Sequence, residues 1–299
     1  MNGRLLWVTD PHLNFVGPDR ARAFGLELRK LDVKAPLVVT GDISEAPALV
    51  RDLTALAGGY GRPTFFVLGN HDYYRSSWRA VRRQMRVTRL DPLLTYLDST
   101  GPIPLGGDLA LVGQTGWYDG LHGNTRTTPV MLTDFVRIAE LSGCRSRGAL
   151  LQTIQSRATF EADNIAAKLA HAVELGYERV IVATHVPPFP GATFHERGPS
   201  NADWLPWFTS GLMGAALERA LDEHPNLRML VLTGHTHGAG VYQHSDRMRV
   251  VSGAAQYGSP ALAGIVDLAA FDVTAAAGSD GDLPQPDAPL AAGVAEATG

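Results

Sequence analysis

The sequence predicts an α/β protein, on three observations. Short apolar runs rich in β-branched residues alternate with amphipathic stretches at helical period. Gly and polar residues close each run, as they do where a strand hands over to a loop. Five of the runs also end directly in residues that bind metals. Run 5–9 leads to Asp10 and His12, run 37–40 to Gly41-Asp42, and run 64–68 to Gly69-Asn70-His71-Asp72. Run 180–184 leads to His185, and run 229–233 to Gly234-His235-Thr236-His237. In layered α/β proteins the ligand lies outside the carboxyl ends of the strands. Five segments therefore bring carboxylate, amide and imidazole groups to one sheet edge. That edge reads as a metal site, rich enough in ligands for two ions.

The remaining elements follow in order. Residues 19–31 and 47–57 read as helices between the first three strands. Residues 78–90 make a strongly amphipathic helix, with Trp78, Val81, Met85 and Leu90 on one side and Arg79, Arg82, Arg83 and Arg86 on the other. Arg75 and Arg89 extend that basic stripe. Residues 109–113 read as a strand, 115–147 as an irregular segment, and 148–175 as a long helix ending near Gly176. The Pro-, Gly- and aromatic-rich stretch 187–211 reads as a loop, and 212–222 as a helix. Segments 241–243, 249–252 and 264–273 read as closing strands of more antiparallel character. From Thr274 an Ala/Gly/Pro/Asp tail lacks the apolar area to order itself, so the catalytic domain is expected to span 1–273 and the tail 274–299.

Composition narrows the function classes. The chain has 299 residues, with 30 acidic against 26 basic. The tail's Asp280, Asp282, Asp287 and Glu296 account for that whole difference, leaving a neutral body. Such a balance favours neither a nucleic-acid nor a membrane partner. A single Cys144 excludes an internal disulfide and a thiolate zinc cluster. With no signal-peptide pattern and no apolar span of membrane length, a cytoplasmic location is the expectation.

Paired divalent ions activate water and clamp the attacking and leaving oxygens of a phosphoryl group. Such a pair needs a carboxylate that can bridge, and Asp42 is the lone carboxylate at its strand end. His, Asp and Asn ligands without Cys suit Mn, Fe or Zn better than Ca or Mg.

Asp10-x-His12, Gly41-Asp42, Gly69-Asn70-His71-Asp72, His185 and Gly234-His235-Thr236-His237 match, in order, the five signature blocks of the calcineurin-like metallophosphoesterase superfamily. The resemblance runs from about residue 4 to 273. It implies a four-layer α/β/β/α sandwich with two mixed sheets face to face. It also implies hydrolysis of phosphate esters by a metal-bound hydroxide. One metal would be held by Asp10, His12, Asp42 and His237, the other by Asp42, Asn70, His185 and His235. His71 matches the family's non-ligand histidine, which stabilises the transition state or protonates the leaving oxygen. Asp72 would hold that imidazole's other nitrogen and keep it charged.

The sequence departs from the protein phosphatase branch, which carries a further Asp and Arg soon after the Gly-Asp block. Here the segment is Gly41-Asp42-Ile43-Ser44-Glu45. A small or nucleotide-like phosphoester is therefore the expected substrate, with phosphodiesters leading, and a phosphomonoesterase or a nuclease is the alternative. A non-catalytic scaffold of the same fold is disfavoured because every ligand is present. Candidate substrate contacts are Arg75 and Arg79 beside the signature turn, Trp117 and Tyr118 after a strand, and His195 in the loop beyond His185. The aromatic pair would either stack on a base or sugar or anchor its loop.

Overall fold

The computed structural model describes residues 3–195 and 198–275. The chain begins β1 (Arg4–Val8), α1 (Gly17–Leu31), β2 (Leu37–Thr40), α2 (Leu49–Tyr60), β3 (Thr64–Val67), α3 (Trp78–Thr88). Apart from Arg4 these strands are buried from end to end. Continuous apolar runs have that fate in parallel sheets covered on both faces. β4 (Leu94–Tyr96), β5 (Ile103–Gly106) and β6 (Leu109–Gly113) follow, then α4 (Asp134–Arg137), α5 (Ala139–Ser142) and the long α6 (Arg147–Glu174). Next come β7 (Arg179–Ala183), β8 (Phe194–His195), β9 (Gly198–Pro199), α7 (Leu205–Phe208) and α8 (Gly211–Glu223). The last strands are β10 (Arg228–Thr233), β11 (Gly240–Ser245), β12 (Met248–Ser252), β13 (Gly264–Asp267) and β14 (Asp272–Ala275).

Two six-stranded mixed sheets result, ordered β14-β13-β1-β2-β3-β4 and β11-β12-β10-β7-β6-β5. In the first, β1 to β4 are parallel and β13 is antiparallel to β1. In the second, β12, β10, β7 and β6 are parallel, with antiparallel β11 and β5 at the edges. Side chains alternate between the faces of a strand, and three cores show where each face goes. Leu5, Trp7, Val38 and Val67 of the first sheet meet Leu111, Ile181, Leu230 and Leu232 of the second. Leu6, Val8 and Val39 point outward against Phe24 and Leu28 of α1 and Leu53 and Leu56 of α2. Val180, Val182 and Val231 pack against Ile165 and Leu169 of α6 and Met213 and Leu217 of α8. The order is helices, sheet, sheet, helices, as the resemblance implied.

Several local expectations need correction. Short strands β4 and β5 carry too few residues, beside Pro92, Pro102 and Pro104, to show a period. The segment 264–273 is two strands, β13 and β14, which pair antiparallel across a turn at Phe271 with φ of 55°. The irregular stretch 115–147 contains α4 and α5, and the expected loop 187–211 contains the β8–β9 ladder and α7. Leu90 lies past the end of α3 and is 85 % exposed rather than part of its apolar side. The boundary drawn after residue 273 falls inside β14, where Thr274 pairs with Ile265 and Ala275 with Gly264. The rest of the tail, 276–299, lies outside the described residues. Among the described residues no helix is long and apolar enough to cross a membrane.

Candidate metal centre

Beyond the carboxyl ends of β1, β2 and β10 the backbone makes unusual turns. Among the described residues seven non-glycine positions have positive φ, and five of them are Asp10 (47°), His12 (41°), Asp42 (49°), His235 (72°) and His237 (57°). Left-handed backbone costs about 1–3 kcal/mol per residue and persists where surrounding structure enforces it. These turns carry five of the seven expected ligand side chains, whereas Asn70 has ordinary right-handed backbone with φ of −67°. Gly69 is required at the same place, because a Cβ there would collide with the Asp42 carboxylate and with the His185 ring.

Asp10, His12, Asp42 and His237 present ligand atoms that all lie within 4.8 Å of one another. His12 Nε2 is 3.0 Å from His237 Nε2 and 3.8 Å from Asp42 Oδ2, and His237 Nε2 is 3.5 Å from Asp10 Oδ1. Asp42 Oδ2 is buried without a hydrogen-bond partner.

Alongside, Asp42, Asn70, His185 and His235 converge. His185 Nδ1 sits 2.8 Å from the Thr40 carbonyl, so its proton belongs there and Nε2 carries the lone pair. His235 Nε2 likewise faces the Trp207 carbonyl at 2.8 Å, which leaves the lone pair on Nδ1. Asn70 Nδ2 donates to Asp134 Oδ1 at 2.9 Å, which aims the Asn70 carbonyl oxygen inward. That oxygen lies 3.0 Å from His185 Nε2 and 2.9 Å from His235 Nδ1, while Asp42 Oδ1 is 3.4 Å from His185 Nε2. Acceptors thus face acceptors among buried side chains. Such an arrangement is repulsive unless a cation sits among them. The donor set fits a metal.

Electrostatics point the same way. Burial, with repulsion from Asp10 and Asp72, holds the Asp42 carboxyl well above its ordinary range. Asp10 also loses hydration, but His237, His185 and His12 around it pull its pKa below the ordinary value. Burial lowers His12 and His235, and lowers His185 to about 4, so these rings are neutral and free to coordinate. The cluster holds buried carboxylates and little compensating positive charge.

His71 lies at the edge of this cluster. Its Nε2 is 3.9 Å from Asp42 Oδ2, its amide donates to Asp42 Oδ1 at 2.9 Å, and its ring stacks on Tyr74 at 4.2 Å. The His71 and His237 side chains are 12 % and 16 % exposed, against 1 % or less for His12 and His185, so the centre opens to solvent at those two rings. Asp72 corrects the expectation placed on it. Its Oδ1 accepts from the Ser44 amide at 2.8 Å and its Oδ2 from the Gly69 amide at 2.7 Å. It ties together the two turns that carry Asp42 and Asn70, rather than holding the His71 ring. The cause is the 3-10 turn His71–Tyr73, which rotates successive side chains roughly 120° apart. Burial lifts Asp72 to about 7 despite its amide bonds, and burial keeps His71 neutral.

The expected substrate contacts divide. Trp117 and Tyr118 are buried, and neither ring offers an exposed face. Tyr118 donates to Asp134 Oδ2 at 2.7 Å and lies parallel to the His235 ring at 6.0 Å. Arg75 is outside the cluster, its Nε paired with Glu45 Oε2 at 3.0 Å, and Glu45 also binds Arg137. Arg79 stands exposed on α3. His195 packs on Trp204 and Phe208, with Nδ1 3.4 Å from the Thr236 carbonyl, at the rim beside the His235–His237 turn. Three residues escaped sequence reasoning. Asp134 orients Asn70 from an irregular segment, while Phe15 and Tyr257 pack by the opening, and none of them sits in a recognisable pattern.

The comparisons with known proteins agree with this geometry. Residues 3–239 match the family model of calcineurin-like phosphoesterases. Phosphopantetheinyl hydrolase from Mycobacterium tuberculosis superposes with a TM-score of 0.61 at 16 % identity, over 86 % of this chain and 90 % of that one. A dimetal phosphatase from Danio rerio gives 0.53 at 14 % identity, over 85 % and 88 %. Among curated proteins none matches the chain. Both structures share the fold, and the family match covers most of the chain. With the ligand cluster in place at the strand ends, the chain belongs to the calcineurin-like phosphoesterases, and it is a phosphoester hydrolase.

Proposed function

We propose that the protein is a dinuclear metallophosphoesterase acting on small phosphodiesters or nucleotide-like esters. The observation that carries the reading is the convergence of Asn70 Oδ1, His185 Nε2, His235 Nδ1 and Asp42 Oδ1 beside the Asp10–His12–His237 cluster. Asp10, His12, Asp42 and His237 would hold one ion, Asp42, Asn70, His185 and His235 the other, with Mn, Fe or Zn the best suited. When bound, such a pair supplies Lewis-acid activation of water and of the phosphoryl oxygens. The chain's own residues do the rest. Asp134 and Thr40 orient the ligands, Asp72 fixes the two ligand turns to each other, and the buried rings exclude bulk water. To His71, outside both ligand sets, we assign a hydrogen bond to the departing or a non-bridging oxygen.

Two features support the diester preference. A diester leaves as a basic alkoxide and gains from a hydrogen-bond donor beside it, the role assigned here to His71. A monoester dianion gains from a cation on its free oxygens, yet Arg75 is engaged with Glu45 and Arg79 is exposed. A cytoplasmic setting rests on the single, unpaired Cys144. The test is turnover of matched phosphomonoesters, phosphodiesters, cyclic nucleotides and short nucleic acids by Mn-loaded protein. Diester hydrolysis ahead of monoester hydrolysis is expected, and inactivity across the whole panel overturns the reading.

A further inference from the structure

The opening of the metal centre is walled on one side by aromatic rings that hold no ligand position. Tyr257, in the loop after β12, packs its ring 4.4 Å from His12, 4.9 Å from His237 and 6.0 Å from His71. Phe15, from the 3-10 turn Leu13–Phe15 between β1 and α1, packs 5.1 Å from Tyr257 and 6.2 Å from His12. Phe15 is nevertheless 57 % exposed. Both borders of the opening, His71 and His237, touch the Tyr257 ring. A large apolar ring left open to water beside a reactive centre is a feature of ligand pockets, whose walls are mostly apolar with a few convergent polar groups. Two distant segments of the chain converge to build this one.

We propose that Phe15 and Tyr257 form a specificity wall that receives a flat, apolar or aromatic group attached to the substrate's phosphoryl centre. The inference deepens the phosphoesterase reading and rests on it for where the phosphoryl group sits. Tyr257 lies next to His71 and Phe15 lies beyond Tyr257, so an organic group directed past His71 meets the two rings in succession. The wall carries no formal charge. It therefore selects for a ring, such as a nucleobase or an aryl group, and against a bare phosphate or a short alkyl ester.

The test uses Mn-loaded full-length protein and two non-hydrolysable probes, 1-naphthylphosphonate and methylphosphonate, which share a head group and differ in the ring. Calorimetric Kd values give a naphthyl-to-methyl preference for the parent, for Phe15→Ala, for Tyr257→Ala and for Tyr257→Phe, with metal content measured for each. The parent should favour the naphthyl probe. Each alanine variant should lower that preference roughly three- to tenfold, the scale of one aromatic contact, with metal content retained, and Tyr257→Phe should preserve it. Absence of a preference in the parent, or equal weakening of both probes in the variants, overturns the wall. Failure of the parent reading is separate: it shows as no phosphoester turnover, whatever the ratio of the two affinities.

Discussion

Asp134 accepts the Asn70 amide at 2.9 Å, and this one bond decides which face of Asn70 the metal centre sees. Asp134 also takes the hydroxyls of Tyr74 at 2.6 Å and Tyr118 at 2.7 Å, so its position is fixed from three sides. Residues that orient ligands typically change metal affinity about 10–100-fold when altered. Asp134→Asn, which keeps the shape but disturbs donor and acceptor assignments, should weaken one metal by that order and spare the other. Metal titration followed by two-site fitting reads the effect. Unchanged affinity at both sites would remove Asp134 from the positioning role.

Asp42 divides its oxygens between the two ligand groups. Oδ2 faces His12 at 3.8 Å and Oδ1 faces His185 at 3.4 Å. Asp42→Ala should therefore deplete both ions, whereas His12→Ala should deplete mainly the one shared with Asp10 and His237. Metal analysis of the purified variants decides the matter, and full occupancy in Asp42→Ala would refute the bridge.

Much of this centre was legible because each ligand follows a strand with a continuous apolar run, and strand ends of one sheet edge meet in space. Asp10, Asp42, Asn70, His185 and His235 follow from that rule alone. Asp72 did not, since a one-residue change of direction in a 3-10 turn decides whether it meets a ring or an amide. Phe15 and Tyr257 come together only through tertiary folding of a turn and a loop, which carry no period. Strands β4 and β5 were hidden for a related reason, being too short to alternate, and the turn at Phe271 needs a left-handed residue that nothing local announces.

Behind the metal centre lies a second polar network, and it has a pH signature. Asp98 accepts from Thr115 Oγ1 at 2.8 Å and Gln114 Nε2 at 3.2 Å, and Gln114 also reaches the buried Glu161. Desolvation and the Glu161 charge push Asp98 up to about 6. Between pH about 4 and 6 the folded protein holds a proton that the unfolded chain has released, so this group's contribution to stability falls as pH rises through that window. Above it the cost is fully present. Asp98→Asn should gain melting temperature relative to the parent as pH rises from 4.5 to 7. A difference that stays constant with pH would exclude Asp98 as the titrating group.

His71 stands beside the cluster without a place in either ligand set, 3.9 Å from Asp42 Oδ2. Removing it should cost turnover about 10²–10⁴-fold, the usual range for an acid–base group, with both metals retained. The loss should shrink for nitrophenyl leaving groups, which depart without a proton. Were aryl and alkyl esters to lose equally, His71 would act by charge or hydrogen bonding on the non-bridging oxygens instead.

The choice between mono- and diester turns on Arg75. Its backbone is left-handed, with φ of 61°, and its guanidinium is held by Glu45, which binds Arg137 as well. Two arginines share one carboxylate, so the group keeps a net positive charge one ring away from His71, with Arg137 packed over Tyr74 at 5.6 Å. With Arg75 engaged there, the centre offers a monoester dianion little beyond its metals, and diesters should lead in kcat/KM for matched aryl substrates under identical metal loading. Arg75→Ala should then change both substrates by less than about threefold, as removal of a solvent-exposed ion pair worth under about 1 kcal/mol would. Glu45→Gln is the sharper probe, since it frees Arg75 and Arg137 together: the monoester rate should rise against the diester rate if that charge can reach the phosphoryl oxygens. A tenfold or greater monoester preference in the parent, lost in Arg75→Ala, would overturn the diester assignment and place this arginine in the substrate site.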